Sequence, residues 1–270
     1  MAGSAGPVGG ASTGERPAKK RRELNAAWYV AAHASTGFIR LFGKYRWHHE
    51  ERIPAQGAFI LAPNHMSHID VIVMGWLLYK NGRAPRFLAK ASLFQVPVLG
   101  WILTLMGQIP VERKKGAGGP GLERAAALVE DGLGVIIYPE GTLTRDPAMW
   151  PMRGRVGAAW LALAHDIPVI PAAHWGAQNI LPRYAKALRG GFPRKKVDIL
   201  VGEPVDLSRW AGRTDGEALR AATDEIMVAI TRLLAELRGE EPPATRWDPA
   251  AHGQAETGRF DGKPGGDRSR

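Results

Sequence analysis

The sequence predicts an α/β fold: a central, mostly parallel sheet flanked by helices, forming a single domain over residues 23–238. Two observations carry this. Apolar runs of strand length recur at Ala58–Ala62, Val135–Tyr138 and Ile167–Ala173, and proline or a tight turn punctuates each of them. Segments with helical spacing alternate with these runs, which is the signature of strands joined by crossover helices. A chain of 270 residues is long enough for one substantial core.

Taken in order, Met1–Ala18 is rich in Gly, Ala, Ser and Pro and ends against Lys19-Lys20-Arg21-Arg22, so residues 1–22 read as a disordered basic leader. Leu24–Ile39 carries no charge and includes Trp28, Tyr29 and Phe38. Asn25, His33, Ser35 and Thr36 make it too polar to span a bilayer. A basic cluster beside such a segment predicts a membrane-interface helical segment over residues 24–46, lying on an anionic leaflet. Ala32-His33-Ala34 also fits a signal-cleavage motif, but the long leader and weak apolar region argue against a signal peptide. Ala58–Ala62 reads as a buried strand ended by Pro63, and Ser67 with Asp70 fits the capping box that opens a helix. Ala91–Val111 has no charge and is long enough to span, but Pro97, Gly100, Gly107 and Pro110 interrupt it. It reads either as buried core or as a membrane-dipping face.

Leu122–Glu130 is a helix stopped at Gly132, Val135–Tyr138 a strand, and Arg153–Ala164 a helix with Trp160 and Leu163 on its apolar side. Val197–Val201 is a strand. Glu217–Arg238 is the clearest amphipathic helix, with Leu219, Ile226, Ile230, Leu233 and Leu237 in a core-facing stripe. Residues 239–270 are polar and read as a disordered tail. No internal repeat, Walker loop or G-x-G-x-x-G is present, which leaves nucleotide binding without support. The absence of cysteine excludes disulfides, a thiolate nucleophile and a Cys-based zinc site.

The densest chemical signal is Asn64-His65-Met66-Ser67-His68-Ile69-Asp70. Residues five apart in one continuous helix point about 140° away from each other. His65 and Asp70 therefore meet only if the histidine lies before the helix and the aspartate in its first turn, where the capping signal puts them. An aspartate on one imidazole nitrogen fixes the tautomer and leaves the other nitrogen free as a base. The positive end of the helix disfavours the imidazolium. The pair by itself also fits a plain helix cap beside a loop histidine.

Downstream segments decide between the two. Gly107-Gln108-Ile109-Pro110-Val111-Glu112-Arg113, Pro139-Glu140-Gly141-Thr142 and Ile167-Pro168-Val169-Ile170-Pro171 follow in that order. With Asn64–Asp70 they make the sequence resemble the glycerolipid (lysophospholipid) acyltransferase family, in particular the 1-acylglycerol-3-phosphate acyltransferases, over about residues 59–173. One departure stands out: the family usually writes Arg-Ser after P-E-G-T, whereas Leu143-Thr144 stand here and Arg145 follows.

The resemblance implies a glycerolipid-acyltransferase-type domain in which His65 is the general base, Asp70 orients it, and Arg113, Glu140, Gly141 and Thr142 bind substrate. It implies direct transfer from acyl-CoA or acyl carrier protein to a lysophospholipid acceptor, with no other cofactor. Ser67 is then a cap rather than a nucleophile. Lys90, Arg145 and Arg153 are further candidates for phosphate or CoA contacts. The formal charge of +10 favours an anionic partner, and nucleic acid, anionic lipid and acyl-CoA all qualify. With the family in view, an anionic membrane surface on the cytoplasmic face is expected and nucleic acid is not. His65, His68 and Asp70 also permit a metal-dependent phosphohydrolase, although three ligands so spaced specify a metal site poorly. A basic peripheral membrane protein without activity, or acylation of another lysophospholipid or glycolipid hydroxyl, are the remaining alternatives.

Overall fold

A computed structural model of the chain describes residues 26–111, 119–185, 187–189 and 193–255. Helix α1 spans Ala26–Arg40, α2 Asp70–Lys80, α3 Leu99–Leu105, α4 Pro120–Glu130, α5 Gly157–His165, α6 Ala177–Ile180 and α7 Gly216–Arg238. Strand β1 spans Gly43–His48, β2 Phe59–Pro63, β3 Leu88–Lys90, β4 Ile109–Val111, β5 Gly134–Ile136, β6 Val169–Trp175 and β7 Lys195–Val201. The main sheet has the order β1-β7-β6-β2-β5, and only the β6/β7 pair is antiparallel. The parallel pair β3/β4 extends the edge beyond β5 through a bridge between Phe87 and Ile136.

Strand β2 shows why its sequence is apolar throughout. Side chains alternate across a strand. Ile60 and Ala62 enter a core formed with α4, α5 and α7, whereas Phe59 and Leu61 enter a second core with α1, α2 and α6. A strand covered on both faces has no solvent side, so the apolar–polar alternation disappears. The stripe on α7 packs as expected: Leu219, Ile226 and Ile230 are buried in the first core, while Leu233 and Leu237 pack against a smaller cluster at Trp150. The cap at Asp215 holds the other end, its carboxylate accepting from the Glu217 and Ala218 amides.

Four expectations change. The interfacial helical segment does not run over residues 24–46: within the described residues it ends at Arg40, and Gly43–His48 pairs with β7 in the main sheet. Tyr45 and Trp47 alternate with Lys44, Arg46 and His48, a period-two pattern that favours a strand. Helix α5 starts at Gly157, not Arg153, since residues 151–155 form the wall of the site described below. Residues 93–105 are not buried core: Leu93, Val96, Val98, Trp101, Ile102 and Leu105 are exposed. Residues 240–255, expected within the disordered tail, pack on the domain instead. Trp247 accepts the Arg153 amide through its carbonyl at 2.9 Å and stacks on His252, and Arg246 pairs with Asp224 of α7. One aromatic residue and a well-placed arginine supply the anchor that the polar composition concealed. The expected leader lies outside the described residues.

The turn from β6 to α6 depends on Gly176. Its φ is +108°, and a Cβ there would stand 2.0 Å from the carbonyl oxygen of Lys196 on β7. Gly176→Ala combines backbone strain with a clash against a strand that cannot yield. It should lower stability by about 3 kcal/mol, read as a fall in the urea midpoint with an unchanged slope.

Candidate active site

The site grows from the carboxyl end of β2. Asn64 follows the last strand residue, and its side-chain amide closes a two-way contact with β6: Nδ2 donates to the His174 carbonyl at 3.1 Å and Oδ1 accepts the His174 amide at 2.9 Å. The chain then turns through residues 65–69 into α2. Asp70 is the first residue of that helix and is fully buried. Its Oδ2 accepts from the Met66 and Ser67 amides, both at 2.7 Å, and stands 3.1 Å from His65 Nδ1. His65 Nε2 has no hydrogen bond among the described residues, and the side chain retains 12% exposure.

The expected capping box is half present. Asp70 does reach back to the Ser67 amide, but Ser67 Oγ donates to the Leu181 carbonyl at 2.6 Å and only weakly accepts the Ile69 amide at 3.3 Å. The α-helix proper begins three residues later, at Asp70.

The loop after β5 packs over this turn. Tyr138 stacks on the His65 ring with centroids 4.1 Å apart. Glu140 is buried, its Oε1 accepting the His65 amide at 2.9 Å and its Oε2 the Met152 amide at 3.0 Å. The Thr144 amide donates to the His65 carbonyl at 2.7 Å. The backbone of His65 is thus held on both sides by one loop. Gly141 makes that loop possible: its φ is +69°, and the Arg155 side chain lies where a Cβ would need room.

Electrostatics follow from this burial. Burial alone would raise the Asp70 carboxyl, but the charges and hydrogen bonds of His174 and His65 hold it well below the usual carboxylate range. Burial pushes His65 down, outweighing the upward pull of its bond to Asp70, and His174 and His68 add to the decrease. Burial pushes Glu140 up to about 8, against the opposing effect of its amide donors.

A cavity of about 1080 Å³ opens onto His65. Its walls are apolar between α1, α2 and α3, where Trp28, Ile72, Leu93, Leu103 and Met106 line it. Cationic side chains lie elsewhere on the wall: Lys90, Arg153, Arg155 and Arg220. Two carboxylates line it among the described residues: Glu140 is bound by amides and Asp224 is paired with Arg246.

This geometry matches known proteins. A family model described as Acyltransferase covers residues 44–175. A chloroplastic 1-acyl-sn-glycerol-3-phosphate acyltransferase of Brassica napus is 31% identical over 147 residues, 54% of this chain and 40% of that one. The Bacillus subtilis (strain 168) protein of the same activity name is 29% identical over 205 residues, 75% of this chain and 94% of that one. Residues 44–175 thus carry the match to an acyltransferase domain. The crystal structure of the 1-acyl-sn-glycerophosphate acyltransferase of Thermotoga maritima has the same fold, with a TM-score of 0.61 at 23% identity, covering 80% of this chain and 81% of that one.

The structure brings His65, Asp70, Glu140 and Gly141 together. Thr142 is buried beside them. Arg113 lies outside the described residues. Lys90 and Arg153 line the cavity, but Arg145 is buried and does not. His68 is exposed on the cavity wall. Among the described residues no group of three or more His, Asp or Glu is placed to hold a metal. The sequence reading missed Tyr138, Arg155, Arg220 and above all His174. The signal for His174 was its place one residue beyond the Ile167–Ala173 run, at the end of a strand next to β2.

Glu140 gives the protein a pH signature. Its carboxyl holds a proton in the folded state up to about 8, whereas an unfolded chain releases it near the ordinary value of 4.5. The folded state therefore binds more protons between those values, and this contribution to stability falls as pH rises through the window. Urea unfolding from pH 5 to pH 8 should show that decline, and Glu140→Gln should remove it. It should also cost about 1–3 kcal/mol, because its NH2 would face an amide donor.

Proposed function

We propose that this protein transfers a fatty acyl group from acyl-CoA or acyl carrier protein to the free hydroxyl of 1-acylglycerol 3-phosphate, producing phosphatidate for phospholipid synthesis. The contact between His65 Nδ1 and Asp70 Oδ2, at the wall of a large, mostly apolar cavity, carries this reading. Asp70 keeps the proton on Nδ1, so Nε2 is the basic nitrogen. Nε2 removes the acceptor hydroxyl proton as the oxygen attacks the thioester carbonyl. The tetrahedral intermediate then expels the thiolate, which recovers the proton from the imidazolium. The thioester is already activated, so no acyl-enzyme is required. Ser67 fits this, because its Oγ donates to a backbone carbonyl rather than to a base.

The remaining residues suit two unlike substrates. The apolar wall accepts acyl chains, and the cationic wall accepts phosphate groups, for which guanidinium geometry is well matched. By resemblance Arg113 contacts the acceptor phosphate. Gly141 admits close backbone approach, and Thr142 adds a hydroxyl and an amide. Glu140 holds the loop rather than touching substrate. A Pseudomonas aeruginosa relative named lyso-ornithine lipid O-acyltransferase, 27% identical over 78% of this chain and 79% of its own, keeps another lysolipid acceptor in view. The four cations on the cavity wall favour the phosphate-bearing acceptor.

His65→Ala should leave folding intact and reduce acyl transfer by about a hundred- to ten-thousand-fold. Asp70→Asn should also slow it, and the double variant should be little worse than His65→Ala. The pKa of His65 is lowered, so the acid limb of kcat/KM should lie below the ordinary histidine value of 6.5. Purified protein, a lysolipid panel and acyl-CoA, with products read by lipid mass spectrometry, provide the test. A folded His65→Ala protein with near-normal turnover would sink this mechanism.

The protein would work as a peripheral or monotopic enzyme on the cytoplasmic face of the cell membrane. Among the described residues no helix is long and apolar enough to cross a membrane. Their exposed large hydrophobic side chains lie on residues 29–41, at Val71 and on residues 93–105, and both segments also line the cavity. Such a surface inserts shallowly, with Lys19–Arg22 adding attraction to anionic lipid. Trp101→Glu should weaken vesicle sedimentation at every salt concentration. Deleting residues 1–22 should instead remove the preference for anionic over neutral vesicles. Equal binding of the intact chain to both vesicle types would exclude the electrostatic part.

A further inference from the structure

Asp70 has a second imidazole neighbour that the mechanism above does not use. His174 is fully buried near the end of β6, with its Nε2 3.3 Å from Asp70 Oδ2 and 3.3 Å from the Asn64 carbonyl oxygen. Both neighbours are acceptors at neutral pH. Nε2 must therefore carry a hydrogen, shared between them. His174 Nδ1 has no hydrogen-bond partner among the described residues and no exposure. A proton there would be a buried donor with no acceptor among the described residues, so Nε2 is the nitrogen that carries the hydrogen of the neutral ring.

The position of this ring is tightly fixed. The Asn64 side chain bonds both the amide and the carbonyl of His174, continuing the β2/β6 pairing one residue beyond the strand. Three N–H groups bond Asp70 Oδ2, the Met66 and Ser67 amides and His65, and His174 Nε2 stands 3.3 Å from the same oxygen. The first three belong to the turn itself. His174 alone comes from the sheet, and it anchors the carboxylate to the rigid part of the fold.

We propose that His174 is a positioning residue for the acyl transfer: its Nε2–H aims Asp70 at His65 Nδ1 and draws off part of the carboxylate charge, setting the basicity of His65. Removing that donor leaves more negative charge facing His65, so its pKa rises. It also frees Asp70 to rotate, so turnover falls while the binding of either substrate is unaffected. The other titratable groups around His65 are Asp70, His68, Tyr138 stacked on its ring, and Glu140 at its backbone amide. Of these, Asp70 is the group through which His174 acts.

Two variants separate positioning from simple packing. In His174→Gln the amide nitrogen reaches close to the place of Nε2 and restores the donor. His174→Met fills similar volume without one. Imidazole NMR titration of the full chain, with His65 assigned from His65→Ala, reads the first effect without requiring activity. In His174→Met the His65 pKa should rise by about half a unit to one unit, and in His174→Gln it should stay near the wild-type value. The kinetic arm rests on the proposed acyl transfer: kcat should fall roughly five- to tenfold in His174→Met with KM values unchanged, and recover in His174→Gln. The acid limb should move with the titration. If His174→Met does not fold, nitrogen NMR of the unaltered protein still decides the matter, because a His174 found as the Nδ1–H tautomer would overturn the proposal. So would a folded His174→Met with an unshifted His65. Wild-type protein inactive with every acyl donor would defeat the proposed function and leave the titration result standing.

Discussion

Everything at the site depends on one buried carboxylate oxygen. Asp70 loses its hydration entirely, a cost of several kcal/mol for an unpaired ion. Three N–H donors from the turn, with His174 Nε2 on the sheet 3.3 Å away, replace that hydration at Oδ2, while Oδ1 has no partner among the described residues. The anion is therefore both tolerated and aimed. Two of the donors are backbone amides of residues 66 and 67, so the carboxylate also dictates the path of the chain between β2 and α2. The catalytic pair and the local fold are one arrangement, which is why a His-x4-Asp spacing works here although it fails on a continuous helix.

The wider fold places this turn at a boundary between two environments. Strands β2, β5 and β6 are parallel, so their carboxyl ends gather on one side, where open α/β sheets build their sites. Helix α2 leads away from the turn and packs against α1, whose outer residues Val30 and Phe38 are exposed. The α3 segment on the opposite lip exposes Val98 at 71% and Trp101 at 67%. A monomeric soluble domain rarely leaves so many large apolar groups together. The same two segments present Trp28, Leu103 and Met106 to the cavity. On the proposed function, a lipid acceptor and an acyl chain would pass from a bilayer to His65 while remaining on apolar surface.

Much of this was legible in the sequence where a local pattern had a local cause. The strand of β2, the amphipathic α7 and the meeting of His65 with Asp70 follow from periodicity and capping. What escaped notice depended on partners distant in sequence. His174 looks like the polar end of an apolar run, and only the β2/β6 register reveals that it faces Asp70. Tyr45 and Trp47 carried a period-two signal that the adjoining apolar helix obscured. Residues 240–255 are too polar to predict order, and Trp247 pays for their ordering by stacking on His252 and bonding the Arg153 amide. Arg155 was hidden for a related reason: its relation to Gly141 comes from a loop that returns through Pro139, whose carbonyl accepts the Arg155 amide at 2.8 Å.

That loop also explains why a glutamate belongs in a site that attracts anions. An exposed carboxylate at Glu140 would repel phosphate. Here both oxygens are turned inward onto the amides of His65 and Met152, and burial favours the protonated form. The residue offers little charge to the cavity and serves as a brace. With Glu140 on the amide of His65 and Thr144 on its carbonyl, the base is fixed through its backbone before its side chain meets Asp70. Ring orientation is then set at three points: the clamped backbone, the Tyr138 face and the Asp70 oxygen. On the proposed mechanism, a base held this way would need little reorganisation when the acceptor hydroxyl arrives, which is the contribution a protein scaffold can make to a transfer whose acyl group is already activated.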